Sequence, residues 1–344
     1  MFLKDSIDMI KMKISGAVDK LDLDLSGCRV LTEATTGNYV VTPVIAAVAG
    51  AQVTAYTKES AYGSVSDVFE QTMALAREFS VENKINIVTD LSEQHLEQFD
   101  LVTNCGFLRP LDKIFISKLS PTCVIPLMYE PWEFRPGDID LAACNAKGIK
   151  VYGTNEADHR LRIMEYIGYT ALYFLLEQKR SPFSTKILVL GCRQFVRPIA
   201  KVLEKNGYDF KVVETYEKGV DPSLYDAFVV AELSDSRKII GLGTEAFIQI
   251  DDIDPAAFVI HIAGNVDFNG AEFSHVPESP RPFGYMSYTT DFVDSQAVVD
   301  LHAAGLKVGQ GMLESNRLEL KGLASRDYIE ECYPALAFDE KGLW

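Results

Sequence analysis

Short apolar runs alternate with amphipathic stretches along most of the chain. Ile7, Ile10, Met12, Ile14 and Val18 recur near helical spacing and predict an opening helix over 7–20. The run Arg29-Val30-Leu31-Thr32 predicts a strand that runs into the polar loop 33–39. A helix over 40–50, closed by Gly50, follows. The same alternation predicts strands over 52–57, 85–89, 100–104, 123–128 and 149–152, with helices over 64–79, 114–119 and 138–147. A long apolar helix over 163–176 leads to a polar, Pro-containing break at 178–184. A second alternation then begins, with strands over 186–190, 210–214, 227–231 and 258–262 and helices over 195–206, 296–304 and 326–332.

Val- and Ile-rich strands that alternate with helices belong to parallel sheets covered on both faces. The pattern therefore predicts an α/β protein of two doubly wound parallel-sheet (Rossmann-like) domains with an interdomain cleft. The expected boundaries are a substrate domain over 1–155, an interdomain helix over 156–180 and a nucleotide-binding domain over 181–310. Segment 311–344 is expected to return to the first domain.

The 344 residues fit two domains of ordinary size. A net charge of -16 repels phosphate backbones and anionic lipid, which argues against nucleic-acid and membrane partners. The six cysteines are scattered, with no CxxC pair, as expected in a reducing compartment. No signal sequence or membrane-length apolar run is visible, so a cytoplasmic location is expected.

Ligands of open parallel sheets bind beyond the carboxyl ends of the strands, so the loops after strands hold the candidate chemistry. Thr36 and Asn38 stand in loop 33–39, which is either an anion-binding turn or a plain helix cap. Loop 129–138 packs Glu130, Trp132, Glu133 and Arg135 together, in either a pocket wall or a core plug with Asp138 as cap. Asn155, Arg160 and Arg162 follow the next strand. The two arginines are candidate anion clamps, or else partners of Glu156, Asp158 or Glu165. In the second half, Gly191, Cys192, Arg193 and Gln194 form a strand–turn–helix entry of Rossmann type, and Glu214 stands where a ribose hydroxyl would be held. Arg193 and Val196 occupy the second and third glycine positions of that fingerprint. His261 ends a strand ahead of Gly264 and Asn265, as a general acid–base or as a bonded core residue. His302 lies among apolar neighbours and reads as packing. Arg109, Arg135, Arg160, Arg162, Arg193 and Arg197 cluster at these loops, so the expected ligand is a small anion.

The run 138–151, with Asp138, Ile139, Asp140, Leu141, Ala142, Ala143, Gly148, Ile149 and Val151, resembles the D-isomer-specific 2-hydroxyacid dehydrogenases. Formate and glycerate dehydrogenases belong to that class. Gly153-Thr154-Asn155 and the long helix follow in the family's order, and 258–267 resembles its late strand and loop. The resemblance spans about residues 100–270. It implies a two-domain fold, NAD or NADP as cofactor, oxidation of a 2-hydroxy acid, and a homodimer. The chain departs from the family at the glycine fingerprint. It also has Ala263-Gly264-Asn265 in place of the substrate arginine, and lacks the late Pro-His pair.

Two functions follow from these residues. One is an NAD(P)-dependent oxidoreductase of a small anionic metabolite, carboxylate- or phosphate-bearing. In it Arg135 or Arg160 clamps the acid, Glu133 or His261 moves the proton, and Gly191, Arg193, Gln194, Glu214, Gly264 and Asn265 hold the cofactor. Thr36, Asn38, Glu130, Trp132, Asn155 and Arg162 complete the substrate site. The other is a non-redox metabolite-binding protein, or an enzyme of another class, on the same scaffold.

Overall fold

A computed structural model describes residues 6–216 and 219–338. Two compact units emerge. The first comprises the chain through Arg162 together with residues from Ser295 onward, and the second runs from Ile163 to Asp294.

The first unit begins with α1 (Ile7–Leu21), capped by Ser6. Its strands are β1 (Arg29–Glu33), β2 (Gln52–Tyr56), β3 (Ile85–Val88), β4 (Leu101–Val102), β5 (Val124–Pro126) and β6 (Lys150–Thr154). Four helices connect or flank them: α2 (Val41–Val48), α3 (Val65–Glu78), α4 (Lys113–Lys118) and α5 (Leu141–Lys147). Asp140, not Asp138, caps α5 by accepting from the Ala143 N–H at 2.9 Å. The parallel order is β3-β2-β1-β4-β5-β6, the doubly wound arrangement of a Rossmann fold. No helix connects β3 to β4 among the described residues; a short 3-10 turn at Leu96–Gln98 stands there.

The second unit opens with α6 (Glu165–Glu177), then β7 (Lys186–Gly191), α7 (Arg193–Lys205), β8 (Asp209–Val213) and β9 (Ala227–Ala231). It continues with β10 (Lys238–Gly241), β11 (Ile248–Gln249), β12 (Phe258–Ala263), β13 (Asn265–Val266) and β14 (Ser274–Val276). Its main sheet is parallel in the order β14-β12-β9-β7-β8, while β11-β10-β13 form a small second sheet. Alternate residues of β7 go to opposite faces, as strand geometry requires. Ile187 and Val189 pack with Ile167, Phe174 and Ile199 of α6 and α7. Leu188 and Leu190 pack with Phe228, Val230 and the small sheet's Ile239 and Ile240.

The chain returns to the first unit through α8 (Gln296–Arg317), α9 (Gly322–Cys332) and β15 (Ala335–Leu336). The strand β15 adds antiparallel to β6, with Ala335 opposite Thr154. The helix α8 runs 22 residues, well past the 304 expected from sequence, because its glycines serve packing instead of ending it. A Cβ at Gly309 would stand 2.2 Å from Leu101 Cδ1, and one at Gly311 2.6 Å from the Tyr333 ring. The sequence-based boundaries at 155, 180 and 310 therefore differ from the compact units. The apolar helix 163–176 packs with the second unit, and the return to the first begins at Ser295.

Candidate functional site

In the first unit, chain order reverses between β1 and β4, which makes the ends of those strands its ligand-binding edge by topology. Glu33 ends β1 and is buried. Its carboxylate accepts from the backbone N–H groups of Cys105 at 3.0 Å, Gly106 at 2.9 Å and Leu108 at 3.2 Å. Thr103 Oγ1 donates to it at 3.1 Å. A cluster of free N–H groups would attract an external anion; here the protein's own carboxylate satisfies them. Arg109 then braces the loop. Its Nε and Nη2 donate to Asn104 at 2.7 and 3.0 Å, its Nη1 meets Asp138 at 3.1 Å, and its guanidinium lies 5.6 Å from the Tyr129 ring centre. Asn104 Nδ2 donates to the Tyr129 hydroxyl at 3.0 Å, and burial pushes that phenol up to about 12.

Loop 33–39 is used internally. Thr36 is buried and donates to the Tyr62 carbonyl at 2.7 Å, and the Gly37 N–H donates to Gln71 Oε1 at 3.2 Å. Asn38 is half-buried beside them. His302 of α8 is buried, hydrogen-bonded to Thr42 and 5.7 Å from the Tyr39 ring centre. That is the packing role its neighbours predicted.

The loops after β5 and β6 meet through three carboxyl groups. Glu130 Oε2 accepts from Trp132 Nε1 at 2.7 Å, and Oε1 accepts from the Glu156 N–H at 3.1 Å. The Glu130 N–H donates to Glu133 Oε1 at 3.2 Å. Glu133 and Glu156 share a side-chain hydrogen bond, which requires one of them to carry a proton. Burial holds the Glu156 carboxyl well above the usual range, and the neighbouring Glu133 and Glu130 add to the effect. Partial desolvation also raises Glu133, whose residue surface stays open to solvent. Trp132 and Arg135 are exposed.

Asn155 donates its N–H to the Pro334 carbonyl at 2.8 Å, and its Oδ1 accepts from Ala157 at 3.1 Å. Arg160 is engaged with Asp158 through Nε and Nη2, both at 2.8 Å. Burial alone would raise Asp158, but the hydrogen bonds from Arg160 outweigh it and hold the carboxyl low. Of the alternatives for Arg160, the structure contains the ion pair. Arg162 is exposed and left-handed at φ 54°, uncommon for a side-chain-bearing residue, at the last position before the second unit.

In the second unit, the order reverses between β7 and β9. Gly191 ends β7 so close to β9 that a Cβ would stand 2.0 Å from the Ala231 carbonyl oxygen. Arg193 and Arg197 are exposed on the first turns of α7, Gln194 is half-buried, and Val196 is fully buried. Glu214 follows β8 and is exposed. Glu232, directly after β9, is 1% exposed. It accepts from the N–H groups of Ser234 at 2.6 Å and Asp235 at 3.0 Å, and from the Tyr216 hydroxyl at 3.0 Å. It thus repeats what Glu33 does in the first unit. Asn265 Nδ2 donates to the Ser236 carbonyl at 2.7 Å, which fixes the same loop. Gly264 is left-handed at φ 132°, and a Cβ there would press on Val230 at 3.1 Å.

His261 is fully buried on β12. Its Nδ1 pairs with Ser287 Oγ at 2.8 Å and its Nε2 with the Gly264 carbonyl at 3.1 Å. The carbonyl can only accept, so Nε2 carries the proton and Nδ1 accepts from the Ser287 hydroxyl. Burial lowers its pKa and keeps the ring neutral. Sequence reasoning singled out neither Glu33 nor Glu232 as a site residue. Their signal is an acidic residue at the carboxyl end of an apolar strand.

No protein-family model and no curated protein sequence matches the chain. Solved structures do resemble it. The A chain of dipicolinate synthase from Bacillus subtilis aligns with 86% of this chain and 98% of its own, at 12% identity and a TM-score of 0.51. A D-lactate dehydrogenase from Treponema pallidum aligns over 86% and 98%, at 10% identity and 0.49. An NAD-complexed D-isomer-specific 2-hydroxyacid dehydrogenase from Lactobacillus delbrueckii ssp. bulgaricus aligns over 86% and 99%, at 10% identity and 0.44. No helix among the described residues is long and apolar enough to cross a membrane. The chain has a doubly wound, Rossmann-like α/β fold, and its likeness to the dipicolinate synthase chain is one of fold.

Proposed function

We propose that the second unit binds a nicotinamide dinucleotide and that the protein is an NAD(P)-dependent oxidoreductase of a small anionic metabolite. The observation that carries this reading is the turn from β7 through Gly191 into α7 at the switch point of the sheet, with Glu214 exposed beyond the neighbouring β8. Gly191 lets the backbone turn against β9, and the first turn of α7 offers the N–H groups and the exposed Arg193 to a pyrophosphate. Glu214 would hold ribose hydroxyls. When bound, the cofactor supplies hydride transfer. On the first unit, Arg135 provides a cation for the metabolite's acid group. Glu133, whose proton affinity is raised, is the proton carrier, and Trp132 flanks both. The fold of the dipicolinate synthase chain supports the reading at the level of architecture only.

A second reading, non-redox metabolite binding, is favoured by a different observation. The N–H groups at the end of β9 are satisfied by Glu232, and His261 has both nitrogens bonded. Titration with NADH and NADPH, followed by cofactor fluorescence and thermal shift, separates the two. The first reading expects saturable binding that Glu214→Gln weakens about tenfold, on the scale of a lost charged hydrogen bond. Absence of any response at millimolar cofactor leaves the second.

A further inference from the structure

At the opposite edge of the first unit, near the amino ends of β1, β2 and β3, lies a cavity of about 320 Å³. That is the small end of the roughly 300–1,000 Å³ range of small-molecule sites. Its polar lining comes from Arg29, Lys84, Gln52, Asn83, Asn86 and Gln98. None of its lining residues is acidic, in a chain of net charge -16.

The sheet explains why the cavity is there. Strands of a parallel sheet covered on both faces are expected to be apolar throughout. In the register of β1, β2 and β3, Leu31, Thr54 and Asn86 lie in one row. Leu31 is covered by Leu96 and Phe99, from the short segment that replaces a β3–β4 helix. That segment ends its cover at Leu31, and the polar side chains of Gln52, Thr54 and Asn86 continue the same face. The result is an amide-lined recess with Arg29 and Lys84 among its lining.

Those cations are lightly committed. Arg29 spends one guanidinium nitrogen, Nη1, on Gln98 Oε1 at 3.0 Å. Asp100 accepts from the Arg29 backbone N–H at 2.8 Å. Lys84 Nζ has a single long contact, to the Ala47 carbonyl at 3.5 Å. A planar guanidinium fork, an ammonium and several amide N–H donors around one small recess match a compact dianion, which accepts from all of them.

We infer that this cavity binds a small dianion, a phosphate or dicarboxylate group, at a site separate from the carboxyl edges of both sheets. It does not depend on the dinucleotide reading. Calorimetric titration at constant ionic strength with inorganic phosphate and with malonate tests it and distinguishes the two sources. Saturable binding of at least one probe is expected. Arg29→Gln and Lys84→Met should each weaken it about tenfold or more, as loss of a charged hydrogen bond would, and Arg193→Ala in the second unit should leave it intact. Both altered side chains have open surface, so thermal melts should stay near wild type; if one variant melts early, the other carries the test. No saturable binding of either probe overturns the inference. So does binding that survives both substitutions, or that Arg193→Ala abolishes.

Discussion

Glu33 and Glu232 are the residues on which the two ligand edges are built, and each is a buried carboxylate that ends a strand and collects backbone N–H groups. Their strand-end position is all that the sequence shows of them, because the donors are main-chain atoms, 72–75 residues away for Glu33 and two or three for Glu232. His261 is the reverse case. Its position after an apolar strand suggested chemistry, but Ser287 and Gly264 use both ring nitrogens. Replacing His261 with Ala should cost about 2–4 kcal/mol by leaving the buried Gly264 carbonyl and the half-buried Ser287 hydroxyl without their partner, read as a fall in Tm. Glu156 gives a pH signature. Its folded pKa lies above the ordinary 4.5, so the stability it contributes is full below that value and is lost as pH rises through the folded pKa. Glu156→Gln, a neutral mimic of the protonated acid, should flatten that decline and raise stability at pH 7, as urea melts across a pH series would register. A variant with the wild-type slope would mean that Glu156 is ionised in the fold.

Among the elements, the amphipathic helices and the unbroken apolar strand runs were legible. The strand over 227–231 coincides with β9, and the helices expected over 64–79 and 195–206 match α3 and α7 within two residues. The short strands β10, β11, β13, β14 and β15 were not, since two to four residues carry no usable period. The sequence predicts helix α8 only to 304, one residue before Gly305, and glycine is a poor helix former. In the fold, its glycines let the backbone approach Leu101 and Tyr333. Gly309→Val should therefore destabilise the first unit by about 1–3 kcal/mol through overpacking, although valine costs less than glycine in an isolated helix. Gly191→Ala should act likewise on the second unit, because its Cβ would meet the Ala231 carbonyl. A cofactor titration and a melt on that variant report the turn and the fold separately. The candidate loops were legible by position, since they follow strands, and the pair of Arg160 with Asp158 was one of the alternatives the sequence offered. Thr36 with Tyr62 is a long-range contact that spacing does not encode.

On the scale of the whole molecule, the second unit is one continuous stretch, and the first is written in two pieces around it. The two sheets also have different strand orders, so they are not copies of one design. A ribosome delivering this chain completes every strand and helix of the second unit while the first still lacks α8 and β15. Until they arrive, β6 keeps an unpaired edge, and the apolar surfaces that α8 covers stay open. The order of synthesis thus makes the inserted unit the earlier to mature. The host sheet is the part most exposed to chaperones, or to aggregation, during the last stretch of translation.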